Sequence, residues 1–451
     1  MKLRPGDYHI FRVNGDTLLA IASGEIFILD ELADALVESG ADSEMEAQDL
    51  LAGRFPEESI GTAYREMNKV FSRPIPDHRK DKPPRKLRAL CLNITHKCNL
   101  ACKYCFAANL TAENAPSMTS EVVRAAFDYL ISESKGVRRL QMDFFGGEPL
   151  LVFDLVKEGV SYGREKASQH GKEVFFTLTT NATLLDDEKI DFIKNNDISL
   201  ILSLDGRRNA NDRFRVFPND KGSYDTIIQN IDNARNKLGK NDYYIRGTFT
   251  SQTPDILDTM KFYLEKGYYH VSLEPVTADE RLPYAFKDEH IPHLLESYRK
   301  LASWLIDKPL CFYHFNIEMD NPLCLTRRIT GCGAGMEYMA VDPWGDLYPC
   351  HQFIENPDFK IGNVFEGVNE KDIVDYFHHA TVYDKNKCNE CWARFYCSGG
   401  CHYQQYVQSG DIKKPSRQYC ELFRGRLEIA LWYNVKRKTL NQLISKNVNK
   451  S

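Results

Sequence analysis

The chain has 451 residues, of which 43% are hydrophobic and 27% are charged, and its formal net charge at pH 7 is −5. This composition excludes wholesale disorder and a general affinity for nucleic acid, and the length predicts about two to four domains. There is no apolar run of about 18 residues and no apolar signal segment, so we expect a cytoplasmic protein with no membrane partner. Thirteen cysteines in such a chain favour metal binding or catalysis over disulfides.

Residues 1–72 contain no cysteine and are predicted to form three strands followed by three helices, a winged-helix-like module. Asn14-Gly15 and Ser23-Gly24 are the turn signals between the three β-like runs. Such a module is either a structural cap or a docking site that pairs a peptide with an exposed strand edge, and the pattern leaves both open. Residues 73–88, rich in proline and basic side chains, predict a stiff, solvated linker.

Residues 89–315 alternate strand-like and helix-like segments through six repeats. This alternation predicts an α/β fold with a parallel sheet, most simply a partial (β/α)6 TIM-type barrel. The chemistry of such folds collects at the carboxyl ends of the strands. The predicted strands are Leu90–Ile94, Leu140–Phe145, Val174–Leu178, Leu200–Leu204, Tyr244–Thr248 and His270–Leu273.

Three cysteines with the spacing C-x3-C-x2-C directly follow the first of these strands: Cys98, Cys102 and Cys105. An ordinary electron-transfer cluster takes four cysteines. Three thiolates can instead hold three irons of a cubane cluster and leave the fourth iron open to a small molecule. A zinc loop or a set of buried free thiols is the alternative.

Polar or glycine-rich sequences recur where the other predicted strands end. Gly146 and Gly147 would let the backbone approach a ligand closely, and Glu148 could accept hydrogen bonds from an amine. Each of these signals is weak alone. Because they recur at the ends of successive strands, together they predict a ligand-binding rim. The other rim positions are Thr179–Asn181, Ser203–Gly206, Arg246 and Glu274.

Residues 316–435 form a cysteine-dense region that is predicted to need metal, because its apolar content is modest. Zinc is the alternative to iron–sulfur clusters here too. Residues 341–348 predict a hairpin, 422–433 a closing helix, and 436–451 a polar, frayed tail. The cysteines follow the pattern C-x12-G-x4-C, then C-x2-C-x5-C-x3-C, then a last cysteine: Cys332, Cys350, Cys388, Cys391, Cys397, Cys401 and Cys420.

The first cysteine motif together with Gly146-Gly-Glu-Pro149 resembles the radical S-adenosylmethionine (SAM) superfamily, and the seven later cysteines resemble its SPASM domain. Within that group, residues 87–430 are most similar to thioether-forming (sactipeptide and ranthipeptide) peptide maturases, typified by the SCIFF-peptide and freyrasin maturases. The resemblance implies three [4Fe–4S] clusters. Those held by the later cysteines would be auxiliary clusters.

The resemblance also implies residue roles. Cys98, Cys102 and Cys105 would hold the cluster that binds SAM. Auxiliary cluster I would be held by Cys332, Cys350 and Cys401, with an open iron for a substrate cysteine, and auxiliary cluster II by Cys388, Cys391, Cys397 and Cys420. The SAM amino group would meet Gly146, Gly147 and Glu148, and its carboxylate or ribose would meet Ser203 and Arg246.

Three further cysteines lie outside these sets. Cys324 would be either a fourth ligand of auxiliary cluster I or a nearby free thiol, and the spacing favours the free thiol. Cys91 and Cys311 lie in apolar runs, so both are predicted to be core residues.

The implied activity is radical formation of cysteine thioether crosslinks in a ribosomally made, cysteine-rich precursor peptide, through a 5′-deoxyadenosyl radical. The N-terminal domain would bind the leader of that peptide, and a flavodoxin or ferredoxin-type protein would supply electrons. The alternatives are another SPASM enzyme, such as an anaerobic sulfatase maturase or a peptide epimerase, and a non-catalytic iron–sulfur protein that binds peptides or carries electrons.

Overall fold

The computed structural model describes residues 6–22, 24–72, 75, 86–110, 114–239, 242–317, 329–354 and 356–448. Most of the predicted linker and Cys324 lie outside these residues, so both alternatives for Cys324 stay open. The description below covers these ranges alone.

The N-terminal module has the three strands and three helices that the sequence predicts. Its antiparallel strands lie in chain order, joined at one turn by Asn14 and Gly15, whose φ angles of 52° and 87° are left-handed. The elements are β1 (Tyr8–Val13), β2 (Asp16–Ile21), β3 (Ile26–Leu29), α1 (Glu31–Ser39), α2 (Glu44–Leu51) and α3 (Glu57–Phe71).

The middle of the chain alternates strands and helices as predicted. Its strands are β4 (Ala89–Thr95), β5 (Arg139–Gly146), β6 (Glu173–Thr180), β7 (Ser199–Ser203), β8 (Tyr243–Phe249), β9 (His270–Pro275) and β10 (Cys311–Phe312). Its helices are α4 (Ser120–Glu133), α5 (Phe153–Gln169), α6 (Asp187–Asn195), α7 (Arg208–Phe214), α8 (Tyr224–Lys237), α9 (Ile256–Glu265) and α10 (Ile291–Leu305).

Several helices begin at a side chain that caps the backbone. The side chains of Asp30, Ser43, Thr119, Asp186 and Asp255 each accept a hydrogen bond from a backbone N–H of the first turn of their helix. Each hydrogen bond satisfies a backbone N–H that has no partner within the helix. These helices therefore begin directly after a short polar residue.

The C-terminal region has short strands and helices. They are β11 (Tyr338–Val341), β12 (Asp346–Tyr348), β13 (Gly362–Asn363), β14 (Gly367–Val368), α11 (Lys371–His378), α12 (Arg394–Cys397), α13 (His402–Ser409) and α14 (Arg417–Val448). The predicted hairpin is confirmed by the antiparallel pairing of β11 with β12. The prediction of a frayed end from Lys436 was wrong, because α14 continues to Val448. Short 3₁₀ helices lie at Pro149–Val152, Asp288–His290, Tyr313–Phe315, His351–Phe353 and Pro357–Phe359.

One sheet runs through both the barrel and the C-terminal region. Its strand order is β10-β9-β8-β7-β6-β5-β4-β11-β12-β13-β14. The six predicted strands β4 to β9 are all parallel, so this part of the prediction is confirmed. The sequence did not predict that β11 would pair in parallel with β4 and continue the sheet on its other side.

Strand β4 is buried along its whole length, as expected for a strand in the middle of a covered sheet. Cys91 within it is 2% exposed, which confirms it as a core residue. Cys311 in β10 is only half-buried, so the core position predicted for it was wrong. Within the described residues, the search for a helix long and apolar enough to cross a bilayer finds none.

The N-terminal module packs against the C-terminal region through β1 and β2. The His9 ring stacks on Trp392 with 4.2 Å between ring centroids, and its Nε2 lies 2.7 Å from Glu428 Oε1 on α14. Trp432 Nε1 donates to Asp16 Oδ2 at 2.7 Å. The strand β3 lies at the other edge of the module's sheet.

Candidate functional site

The loop carrying Cys98, Cys102 and Cys105, here called the SAM-cluster loop, leaves the carboxyl end of β4. Its backbone is tied to the segment after α7, because Ala101 N donates to Val216 O at 2.8 Å and Lys103 N donates to Phe214 O at 2.9 Å.

The three thiols of this loop are close enough to act on one another. Burial raises the pKa of Cys98 to about 12, and the charges of Cys102 and Cys105 add to the rise. The structure therefore brings the three predicted cysteines together at the predicted edge of the sheet.

The Gly146–Gly147 pair meets the SAM-cluster loop at its backbone. A Cβ atom would lie 2.3 Å from Thr95 O at Gly146 and 2.0 Å from Lys97 O at Gly147. Gly147 N and Glu148 N donate to these same carbonyls, at 2.7 and 2.8 Å. The sequence predicted that these glycines approach a ligand closely. In the structure, the group that they approach is the backbone of residues 95–97.

Glu148 is fully buried, and its carboxylate is held by the chain itself. Its Oε1 accepts from Leu150 N at 3.0 Å and from Thr180 Oγ1 at 2.7 Å, and its Oε2 accepts from Asn181 N at 2.7 Å. Burial raises the pKa of Glu148, and these hydrogen bonds oppose the rise. The residue links the end of β5 to the end of β6, whereas the sequence suggested a ligand contact alone.

Asn181 connects the end of β6 to the SAM-cluster loop. Its Nδ2 donates to Asn99 Oδ1 at 2.9 Å and lies 3.9 Å from Cys98 Sγ. Asn99 Nδ2 in turn donates to Thr183 Oγ1 at 2.8 Å. The rim residue predicted from the end of β6 therefore contacts the loop that it was expected to adjoin.

Asp205, just past β7, anchors the other side of the loop. Its carboxylate accepts from Arg215 Nε at 3.0 Å and from Thr248 N at 2.8 Å, and it also accepts from the hydroxyl of Tyr104 within the cysteine motif. Burial raises the pKa of Cys102 to about 11, and the nearby Arg215 guanidinium opposes the rise. A buried cation therefore stands beside the cysteine loop.

Ser203 and Arg246 are paired in register on neighbouring strands β7 and β8. Arg246 is exposed, while its two neighbours in the strand, Ile245 and Gly247, are buried. Since successive residues of a strand face opposite sides of the sheet, the Arg246 side chain lies on the other face from Ile245. Its charge acts on Glu274 at the end of β9 and on the buried His351. Glu274 Oε2 lies 2.9 Å from His314 Nε2. Together these residues make one face of the barrel polar.

The C-terminal cysteines fall into two groups. Burial raises the pKa of Cys350, and the charges of Cys332, Cys401 and the core residue Cys91 add to the rise. The three that the resemblance assigns to one cluster, Cys332, Cys350 and Cys401, are called group I. Burial raises the pKa of Cys397 to about 12, and the charges of Cys388, Cys420 and Cys391 add to the rise, so these four form group II. Both groups contain the residues that the sequence assigned to the two auxiliary clusters.

Group I lies beside the barrel. Phe106, next to Cys105, has its ring centroid 5.8 Å from that of His351, next to Cys350. Both rings also contact Phe145 at the end of β5, at 6.4 and 4.8 Å. The SAM-cluster loop and group I therefore approach each other across three aromatic rings.

Seven thiols in two groups and three in another fit iron–sulfur clusters, which are held by cysteine thiolates. In the part of the chain that the structure describes, no three His, Cys, Asp or Glu side chains are arranged to hold a single metal ion. The cysteine groups are thus defined by their mutual electrostatic effects.

Several residues at the site were missed by the sequence analysis. Arg215 lies in the segment after α7, and His314 and His351 lie in 3₁₀ turns, so none of them is at a strand end. Asn99 and Tyr104 lie between the cysteines of the motif. Their polar side chains in this loop were the signal that could have identified them.

The chain is similar to a family model, to a curated relative and to two solved structures. Residues 92–273 match the family model described as the radical SAM superfamily. The serine-type anaerobic sulfatase-maturating enzyme of Bacteroides thetaiotaomicron is 24% identical over 398 residues, which cover 78% of this chain and 92% of that protein.

Two solved structures share the fold. Native anSMEcpe with bound AdoMet and Cp18Cys peptide has a TM-score of 0.65 and 19% identity, covering 79% of this chain and 100% of that one. SuiB of Streptococcus suis bound to S-adenosylmethionine has a TM-score of 0.51 and 16% identity, covering 92% of this chain and 99% of that one. The segment from residue 92 to residue 273, which carries the cysteine loop at the end of β4, is thus similar in sequence to the radical SAM superfamily.

Proposed function

We propose that this protein installs thioether crosslinks between cysteine sulfur and the carbon of an acceptor residue in a ribosomally made, cysteine-rich precursor peptide. SAM and a [4Fe–4S] cluster on Cys98, Cys102 and Cys105 would supply the radical chemistry when bound. Groups I and II would each hold an auxiliary [4Fe–4S] cluster. A flavodoxin or ferredoxin-type protein would supply the electrons.

The observation that carries this proposal is the approach of group I to the SAM-cluster loop across Phe106, Phe145 and His351. A thioether enzyme must hold the substrate thiol within reach of the carbon that loses hydrogen. A three-cysteine group beside the barrel suits a cluster with an open iron that binds this thiol. The polar barrel face with Arg246 and Glu274 suits the orientation of a peptide backbone between the two.

Sulfur–carbon bond formation releases an electron, and we propose that group I would hold the cluster that accepts it. Forming the sulfur–carbon bond removes one hydrogen atom from the acceptor carbon and one proton with one electron from the thiol. The hydrogen atom leaves with the SAM-derived radical, and the surplus electron must be taken up nearby. A cluster held by group I would supply the acceptor, because group I approaches the SAM-cluster loop across Phe106, Phe145 and His351.

For the rest of the site, we propose that Gly146, Gly147 and Glu148 border the SAM amino group, and that Ser203 and Arg246 border its carboxylate or ribose. Gly146 and Ser203 end β5 and β7, and Arg246 pairs in register with Ser203 from within β8, which supports this assignment. Glu148 would have a second task, because its hydrogen bonds to the chain join the end of β5 to the end of β6.

We also propose that the N-terminal module binds the leader of the precursor peptide at β3. The β1 side of the module faces Trp392 and α14, so that edge is covered. Among the described residues, β3 pairs with β2 alone, and its Ile28 is 41% exposed. An extended peptide could add to this edge by main-chain hydrogen bonds.

The test is anaerobic reaction of the reconstituted protein with SAM, a reductant and a cysteine-rich peptide encoded beside its gene. We expect a loss of two hydrogens per crosslink by mass spectrometry, with all sulfur retained. Serine at Cys98, Cys102 or Cys105 should abolish SAM cleavage, and Cys311→Ser is the matched control that should retain it. An unchanged peptide mass with active SAM cleavage would contradict the proposal.

A second candidate is oxidation of a sulfatase-type cysteine or serine, because the similarity to the Bacteroides thetaiotaomicron enzyme extends over most of both chains. Conversion of cysteine to formylglycine removes the sulfur, so the mass spectra separate it from a crosslink. Oxidation of serine to formylglycine loses two hydrogens just as a crosslink does, so thiol alkylation separates these two. A crosslink consumes a free thiol, whereas serine oxidation leaves every thiol free and forms an aldehyde.

A further inference from the structure

A buried lysine lies between the two C-terminal cysteine groups. Lys385 is 2% exposed and precedes Cys388 of group II by one turn. Its Nζ donates to Gly399 O at 2.8 Å and to Gln405 Oε1 at 2.8 Å, and lies 3.2 Å from His402 Nδ1. Gly399 separates Cys397 of group II from Cys401 of group I, so the ammonium touches the loop that joins them.

The joining loop is shaped around this side chain. Ser398, Gly399 and Gly400 all have left-handed φ angles, of 53°, 82° and 75°. A Cβ at Gly399 would lie 3.2 Å from Lys385 Cδ, so the lysine stem packs on the glycine. The turn directs the Gly399 carbonyl to the ammonium, which holds the charge in one place.

The hydrogen-bond partners of the ammonium are all neutral groups. Within the described residues, the ion pairs between side chains include none with Lys385. Burial lowers the pKa of Lys385 to about 8, and the charges of Cys388, Cys397 and Cys401 oppose that fall. A buried charge is costly unless it is compensated, and the thiolates of groups I and II are the compensating charges that surround this one.

We propose that Lys385 is a positioning residue that holds a fixed positive charge between the two auxiliary clusters and raises their reduction potentials. The inference rests on the proposed function, because it requires clusters on groups I and II. The potential of an iron–sulfur cluster depends on the net charge and hydrogen bonds around it. Reduction adds negative charge, so a nearby cation stabilises the reduced form.

This charge would serve the reaction at its last step. The surplus electron from sulfur–carbon bond formation moves to an auxiliary cluster only if that cluster's potential is high enough to accept it. Lys385 adjoins both groups, so one residue would favour the arrival of an electron at either cluster.

The experiment compares holoenzymes of wild type, Lys385→Met and Lys385→Arg by redox titration monitored by electron paramagnetic resonance. Lys385→Met removes the charge and keeps the stem. We expect the ratio of reduced to oxidised auxiliary cluster at a fixed potential to fall at least tenfold, a shift of 59 mV for a one-electron couple. Lys385→Arg should retain the wild-type ratio, and the SAM cluster should be unchanged in all three.

The matched control is Lys414→Met, which removes a charge from an exposed lysine of the same region and should leave the potentials unchanged. If the Lys385→Met protein binds less iron than the wild type, the Gln405→Glu variant is titrated in its place. A carboxylate at position 405 would neutralise the Lys385 ammonium while the lysine side chain stays in the core. Unchanged auxiliary potentials in a fully loaded Lys385→Met or Gln405→Glu protein would overturn the inference. Iron for one cluster only in the wild type would instead refute the auxiliary clusters themselves.

Discussion

Arg215 and Asp205 form an ion pair, with 3.0 Å between Nε and Oδ1, directly behind the SAM-cluster loop. Their side chains are 11% and 2% exposed, so neither charge is well solvated. Asp205 also receives the hydroxyl of Tyr104 and the backbone N–H of Thr248. The pair therefore joins the cysteine motif to two strand ends.

Replacing Arg215 by Met should leave the Asp205 carboxylate buried without its cation. We expect a loss of about 3–5 kcal/mol in the free energy of unfolding of the cluster-free protein, together with poor cluster loading. Urea denaturation and iron analysis measure the two effects. Arg213→Met is the matched control two residues away, because Arg213 is exposed and bonds to Gln252 at the surface. Equal denaturation midpoints for both variants would show that the ion pair does not stabilise the loop.

Gly147→Ala should disturb the SAM-cluster loop. The new methyl group would lie 2.0 Å from Lys97 O, and a backbone atom cannot move aside as a flexible side chain can. Overpacking of this kind costs about 1–3 kcal/mol, and here it shifts the loop that carries the cysteines. Iron retained after gel filtration measures the effect. The control is Gly61→Ala in α3, where the nearest atom is the end of the Glu44 side chain; that variant should retain its iron.

Asp342 should contribute a fall in the stability of the cluster-free protein as the pH rises from 4 to 6. Burial raises the pKa of Asp342 to about 6 from its ordinary value of 3.8, although its Oδ1 accepts from Trp344 N and Asp346 N. Between these two values the folded chain binds the proton more tightly than the unfolded chain, so the protonated form favours folding. Ionisation then costs at most about 3 kcal/mol.

Asp342→Asn keeps the acceptor oxygen and removes the titration. We therefore expect the urea midpoint of this variant, relative to that of the wild type, to rise as the pH rises from 4 to 6. Identical pH slopes for the two proteins would contradict the assignment of this effect to Asp342.

His9→Ala should loosen the N-terminal module. It removes the stack on Trp392 and the hydrogen bond to Glu428, while the ion pair between Asp7 and Arg394 at 2.8 Å remains. A loss of about 1.4 kcal/mol in local stability would speed hydrogen exchange in β1 and β2 roughly tenfold. Hydrogen-exchange mass spectrometry measures this, with His170→Ala at the exposed end of α5 as control. Unchanged exchange in β1 would mean that the stack contributes nothing to docking.

The sequence predicted the six parallel strands because each is an apolar run bounded by turn residues. The spacing of Cys98, Cys102 and Cys105 is local and points to one shared site, whereas the grouping of the seven later cysteines came from the resemblance to SPASM domains. The strands β10 and β12 to β14 have only two or three residues, too few to show a periodicity. Arg215 was missed because its role depends on a partner ten positions away that it meets only in the fold.

Two other differences have tertiary causes. The pattern Gly146-Gly147 suggested a close ligand, and the close neighbour turned out to be the backbone at Thr95 and Lys97. The residues from Lys436 onward are mostly polar, which suggested a frayed tail. Lys436 itself is held by Asp16 of the N-terminal module at 2.8 Å, a contact that no local pattern can reveal.

The pairing of β4 with β11 limits how this protein can be divided. Residues 89–92 of β4 pair with Tyr338–Val341, so a chain ending at residue 315 would leave a fully buried, hydrophobic strand with one bare edge. Such edges recruit other strands and promote aggregation. The strand-and-helix region of residues 89–315 and the cysteine-rich region should therefore be exchanged between homologues, truncated or inherited as one unit, and a hybrid joined between them should be insoluble.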